Sequence, residues 1–191
     1  MKRICVFCGS NFGHSEKYRA MAVRLGHALA ERGLGLVYGG GKVGLMGTIA
    51  DAVLERGGEV IGIIPEDLVK KEVAHKGLAD LRIVGSMHER KALMERLSDG
   101  FIAMPGGFGT LDEFCEILTW TQLGLHQKPC GILNVGGYYD FFLKFVDHSV
   151  TEGFIRAEHR KLLLESEEPE ALLDRFAKYK PVILDKWLKK L

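Results

Sequence analysis

Two short segments carry the side chains with which this sequence could do chemistry. One is Met87-His88-Glu89-Arg90-Lys91, where two adjacent cations follow a carboxylate. The other is Pro105-Gly106-Gly107-Phe108-Gly109-Thr110-Leu111-Asp112-Glu113, which sets three glycines in four positions just ahead of a helical pattern. Glycines let the backbone come close to a ligand. Free N–H groups at a helix start, beside the positive end of the helix dipole, form an anion site. The pattern predicts a helix beginning at Thr110, with the N–H groups of Gly107, Phe108, Gly109, Thr110, Leu111 and Asp112 directed outward. No Gly-Lys-Ser/Thr follows, so the loop is not of the triphosphate type, and a monophosphate suits it better.

Glu113 has two readings on these residues. Thr110 and Glu113 fit a T-x-x-E capping box, in which the glutamate would satisfy an orphan N–H and do no chemistry. Spacing alone favours the cap. Three glycines exceed what a helix start needs, and that points to a ligand-facing carboxylate. Arg90 and Lys91 could neutralise a phosphate or polarise a leaving group. By charge alone, Glu89, Arg90 and Lys91 read as a solvated helix face and His88 as a surface histidine.

A second glycine turn, Gly39-Gly40-Gly41-Lys42-Val43-Gly44, fits G-x-G-x-x-G between a strand and a helix. A dinucleotide site would need an acidic residue at the end of the next strand. That strand ends Ile63-Ile64-Pro65, and Glu66 lies off the expected spot. The alternative is a tight turn that packs helix on sheet.

Positioning these segments requires strands and helices in alternation. Apolar runs predict strands over residues 4–8, 34–38, 60–64, 81–84, 101–104 and 130–135. Amphipathic periodicity predicts helices over 15–32, 45–56, 86–97, 110–123 and 138–152. Ser86 and Glu89 fit a capping box for the fourth of these. Two short helices, over 158–164 and 169–179, complete the pattern, and residues 66–80 read as irregular. Alternation with continuously apolar strands indicates the α/β class: a doubly wound, Rossmann-like parallel sheet with helices on both faces. It is expected to form a single domain over residues 1–191. Ligands of such sheets bind at the carboxyl ends of the strands, where both glycine turns fall.

Composition narrows the functions. The 26 basic and 25 acidic residues nearly cancel, giving a formal charge of +1. That balance offers no overall pull toward nucleic acid or membrane. The basic tail at residues 186–190 reads as a solvated terminus. No apolar run is long enough to span a bilayer. The apolar run at residues 4–8 is too short for a signal peptide and reads as a buried strand. Cys5 and Cys8 form a C-x-x-C, but residues three apart on a strand face opposite ways. No second pair completes a metal site. The four cysteines therefore read as buried hydrophobes of a cytoplasmic protein without metal or cofactor.

At Met87-His88-Glu89-Arg90-Lys91 and the loop from Pro105 to Glu113 the sequence resembles the LOG (Lonely Guy) family, long mislabelled lysine decarboxylase. Further similarity lies at Cys8-Gly9-Ser10, Val37-Tyr38-Gly39-Gly40-Gly41, Gly44-Leu45-Met46-Gly47, Gly62-Ile63-Ile64-Pro65 and Thr119-Trp120-Thr121-Gln122-Leu123-Gly124. The resemblance implies a cytokinin riboside 5′-monophosphate phosphoribohydrolase, or an enzyme similar to AMP nucleosidases. It implies Arg90 and Glu113 as the catalytic pair. It also implies Glu72, Lys91, Gly107, Phe108, Gly109, Thr110, Leu111, Asp112 and Thr119 as nucleotide contacts, and a homodimer with sites near the subunit interface. The expected substrate is AMP or a cytokinin riboside monophosphate. Glu113 would stabilise an oxocarbenium-like sugar and activate water. A guanidinium keeps its proton, so Arg90 would assist electrostatically. The competing readings are a non-catalytic nucleotide carrier or sensor and an NAD-dependent oxidoreductase. Lysine decarboxylation would need a lysine to hold pyridoxal phosphate, and no lysine here lies in a recognisable motif for it.

Overall fold

The computed structural model describes residues 1–69, 74–75 and 77–181. Glu72 and the basic tail at 186–190 lie outside the described residues. Seven strands form one parallel sheet: β1 (Arg3–Phe7), β2 (Gly35–Tyr38), β3 (Val60–Pro65), β4 (Asp80–Val84), β5 (Gly100–Ala103), β6 (Cys130–Leu133) and β7 (Leu163–Ser166). Their order across the sheet is β4-β3-β2-β1-β5-β6-β7. Order runs one way from β1 and reverses at β5, so the switch point lies between these two strands. In this architecture that is where the crevice opens.

Alternation along each strand divides the core. Ile4 and Val6 of β1 face one layer and Cys5 and Phe7 the other. The first layer is covered by α1 (Glu16–Glu31), α2 (Gly44–Glu55) and α8 (Pro169–Ala177), through Leu25, Leu29, Ile49, Leu172 and Phe176. The second is covered by α4 (Met87–Leu97), α5 (Phe108–Gln122) and α6 (Asp140–Thr151), through Met94, Phe114, Ile117, Leu143 and Val146. Two single-turn helices, α3 (Glu66–Val69) and α7 (Ala157–Arg160), sit between strands and helices on the connections. Cys5 and Cys8 fall on opposite sides of the sheet, as their spacing requires, and all four cysteines are free thiols. No group of three or more potential metal ligands occurs among the described residues. No helix among them is long and apolar enough to cross a membrane.

Three expectations are corrected. Cys115 on α5 is exposed, so only three of the four cysteines are buried. Residues 158–164 do not form one helix: α7 ends at Arg160, and Leu163–Ser166 becomes the edge strand β7. The three consecutive leucines at 162–164 fit either element by pattern, and pairing with β6 decides for a strand. The helix after β5 begins at Phe108, not at Thr110, with Gly107 as its N-cap and no side-chain cap. Thr110 and Glu113 therefore do not form a capping box. The Leu111 N–H is not free, because it donates to the Gly107 carbonyl at 3.1 Å. The open donors of the first turn narrow to those of Phe108, Gly109 and Thr110. At α4 the expected cap is present: Ser86 Oγ accepts from the Glu89 N–H at 3.1 Å, and Glu89 Oε2 accepts from the Gly85 N–H at 2.9 Å.

Candidate active site

A cleft of about 420 Å³ opens at the switch point between β1 and β5. The loop after β1 (Cys8, Gly9, Ser10, Asn11) forms one wall, and the glycine loop Pro105–Thr110 forms the other. The loops are fastened together, since the Gly9 N–H donates to the Pro105 carbonyl at 3.0 Å. Gly107, Phe108 and Gly109 are exposed at the rim, with Phe108 94% exposed. A Cβ placed at Gly107 or Gly109 would meet nothing within 4 Å, so open space faces the start of α5.

Arg90 and Glu113 meet on the floor. Arg90 enters from the second turn of α4 and is 7% exposed; Glu113 comes from α5 and is 8% exposed. Arg90 Nη2 lies 3.3 Å from Glu113 Oε1, its Nε donates to the Ile63 carbonyl at 3.1 Å, and its Nη1 contacts Met87 Sδ at 3.6 Å. The guanidinium is thus aimed by the carboxyl end of β3 and by Glu113 together. Taking two such charges out of water costs several kcal/mol per ion, which their attraction offsets only with good geometry. A pair placed so at a cleft floor is poorly explained by stability alone and makes this cleft the candidate functional site. The same electrostatics reach Cys8: burial first, then the Glu113 charge, push its thiol far up, so it stays protonated.

The Gly39–Gly44 turn packs directly against this pair. A Cβ at Gly39 would fall 2.3 Å from Arg90 Nη2, so the missing side chain is the room the guanidinium occupies. Gly44, at φ +63°, lies against the Ser10–Asn11 backbone, and a Cβ there would fall 2.3 Å from the Ser10 carbonyl. The Leu45 N–H at the start of α2 donates to the Gly9 carbonyl at 3.1 Å. The Leu45 donor and the space beside Gly39 and Gly44 are taken up by protein, which disfavours a pyrophosphate in this turn and with it the oxidoreductase reading.

The remaining expected contacts divide. Thr110 is buried beside Gly106 and lines the cleft. Lys91 bridges α4 to α5 through Asp112 Oδ2 at 3.3 Å and Glu116 Oε1 at 3.1 Å, away from the cleft. Burial disfavours its charge, but the Glu116 and Asp112 carboxylates outweigh that and hold its pKa above the ordinary value. Thr119 is exposed, its hydroxyl donating to the Cys115 carbonyl at 2.8 Å. Leu111 and Asp112 also lie outside the lining. Reading by motif did not single out Asn11, Phe12, Tyr18 or Tyr138, all of which line the cleft. The available signal was topological: Cys8-Gly9-Ser10 ends the strand beside the switch point.

Comparisons with known proteins place the chain in a family. A family profile described as a possible lysine decarboxylase matches residues 46–176. The chain is 52% identical over 181 residues to a "Probable cytokinin riboside 5′-monophosphate phosphoribohydrolase" of Oryza sativa subsp. japonica, covering 95% of this chain and 80% of the rice protein. It is 47% identical over 180 residues to a cytokinin riboside 5′-monophosphate phosphoribohydrolase of Arabidopsis thaliana, covering 94% and 83%. Among solved structures, a molybdenum cofactor binding protein of Rippkaea orientalis superposes with a TM-score of 0.69 at 21% identity, covering 93% of this chain and 97% of that one. That likeness is one of fold alone.

Proposed function

The chain belongs to the LOG family, and on that premise we propose that it hydrolyses the N-glycosidic bond of a purine nucleoside 5′-monophosphate, releasing the free base and ribose 5-phosphate. The base is adenine or an N6-substituted adenine, as in AMP or a cytokinin riboside monophosphate. The observation that carries the reading is the buried Arg90–Glu113 pair at the floor of a cleft whose rim is an open helix start.

The backbone N–H groups of Phe108, Gly109 and Thr110, with Gly107, hold the phosphate. That grip anchors one end of the nucleotide and brings C1′ to the floor, so binding energy is spent on position. As the C1′–N bond breaks, its electron pair leaves with the base and positive charge gathers on the sugar. The Glu113 carboxylate stabilises that charge and takes a proton from the water whose oxygen bonds to C1′. The departing base takes a proton from solvent, and Glu113 returns the water proton to solvent, which regenerates the carboxylate. Arg90 keeps its own proton, orients Glu113 and favours the negative charge that builds on the leaving base. Lys91 and Asp112 hold α4 against α5, which sets the separation of the pair. The family resemblance also assigns nucleotide contacts to Glu72, Lys91, Leu111, Asp112 and Thr119, of which Lys91, Leu111, Asp112 and Thr119 lie outside the lining of this cleft.

The fold is shared with cofactor-binding proteins, so fold alone does not choose between a hydrolase and a carrier. The buried charge pair favours the hydrolase. The decisive experiment is incubation of AMP with the wild type and with Glu113→Gln, measuring free adenine. The amide still offers Arg90 an oxygen, so AMP binding should persist while turnover falls about 10³-fold. Adenine release at the wild-type rate would exclude Glu113 from the chemistry. A kcat/KM comparison between AMP and its isopentenyl derivative would rank the two bases.

We also propose that one domain over residues 1–191 works as a cytoplasmic homodimer. Free, mostly buried cysteines fit a reducing compartment. Phe141 and Phe145 on α6 and the nearby Phe154 are exposed, as is Phe108, and a second copy would cover them. Sedimentation equilibrium should give a dimer for the wild type and a monomer for Phe141→Ser/Phe145→Ser.

A further inference from the structure

Three consecutive carbonyls at the entry to the glycine loop are each held by a donor from elsewhere in the chain. The Tyr139 hydroxyl donates to the Met104 carbonyl at 2.7 Å. The Gly9 N–H donates to that of Pro105 at 3.0 Å, and the Tyr138 hydroxyl donates to that of Gly106 at 2.7 Å. Both tyrosines leave one turn after β6, in which Gly136 and Gly137 have φ of +56° and +74°. Asn134 fixes that turn. Its Oδ1 accepts from the Tyr139 N–H at 2.7 Å, and its Nδ2 donates to Asp140 Oδ1 at 2.8 Å. Tyr139 is buried, whereas Tyr138 lines the cleft and packs edge-on against Tyr18, ring centroids 5.7 Å apart.

The peptide between Gly106 and Gly107 is flanked by two glycines, so sterics constrain its orientation least of all in the loop. A trans peptide keeps its C=O and N–H antiparallel. Whatever holds the Gly106 oxygen therefore also fixes where the Gly107 N–H points. We propose that Tyr138 is a positioning residue for phosphate recognition. Its hydroxyl locks the Gly106–Gly107 peptide, and Tyr139 secures the strand end behind it, so the loop donors are aimed before a ligand arrives. The proposal rests on the reading of the cleft as a monophosphate site, and extends it to a tyrosine whose own hydrogen bond goes to the loop.

Tyr138→Phe keeps the ring packing and removes only the donor. Calorimetry with ribose 5-phosphate should show a Kd about 3- to 10-fold weaker, the range expected for one such hydrogen bond. The KM for AMP should rise in step, with kcat within about twofold. Adenosine, which has no phosphate, should bind the two proteins equally, and the thermal midpoint should not move. Equal losses for adenosine and ribose 5-phosphate, or no loss for either, would overturn the proposal. Ribose 5-phosphate binding needs no turnover. A wild type that binds it but releases no adenine from AMP would sink the hydrolase reading and leave this test standing, while a wild type that binds neither compound overturns both.

Discussion

The turn after β2 and the turn after β5 are both glycine-rich, both lead from a strand into a helix, and both sit on the same rim of the sheet. The first is packed solid. Arg90 occupies the space beside Gly39, the Ser10–Asn11 backbone lies on Gly44, and the Leu45 N–H of α2 donates to Gly9. The second is open, with nothing within 4 Å of a Cβ at Gly107 or Gly109. The same residue type thus removes side chains for opposite reasons. In one turn protein fills the room; in the other the room stays open. A glycine motif shows that a backbone needs close approach, and the surroundings decide what approaches.

Substitution by alanine should separate the two turns. The largest effect belongs to Gly39→Ala, whose methyl would displace the guanidinium of Arg90. We expect kcat/KM for AMP to fall about 100-fold through misplacement of the pair. A near-wild-type rate would show that Arg90 tolerates another position. Next comes Gly44→Ala, where positive φ and backbone contact combine. It should cost about 2–3 kcal/mol of stability, read as a thermal midpoint lowered by about 5–10 °C, with the folded fraction still binding ribose 5-phosphate. The smallest effect is that of Gly107→Ala, which meets no protein atom. Its midpoint should stay within about 1 °C of the wild type while the KM for AMP rises about 10-fold. If Gly107→Ala instead unfolds the chain, or Gly44→Ala spares stability and only weakens the nucleotide, the contrast between the turns is wrong.

Most of the architecture was legible because strand and helix periods are written along the chain. Runs such as Ile4–Val6 and Phe101–Ala103 have no polar face and had to lie inside a covered sheet. The Ser86–Glu89 cap was legible for a local reason: both partners lie within one turn. The start of α5 was not. Thr110 and Glu113 have the spacing of a box, but Gly107 has no side chain with which to announce itself as the cap. The edge strand β7 was hidden because Leu162, Leu163 and Leu164 fit either element until β6 is beside them. At the site, Arg90 and Glu113 were legible through motif and resemblance. Tyr138 and Asn11 were not, because they reach the cleft by topology, from β6 and β1, with no spacing that links them to the glycine loop.

The two hydrogen bonds of Gly9 have a consequence for motion. Its N–H is tied to Pro105 and its carbonyl to Leu45, so one residue staples the starts of two helices across the switch point. The walls of the crevice cannot breathe apart without breaking a staple at the centre of the sheet, where strands are the last to open. A nucleotide then meets a mould already set, and little of its affinity is lost to ordering the protein.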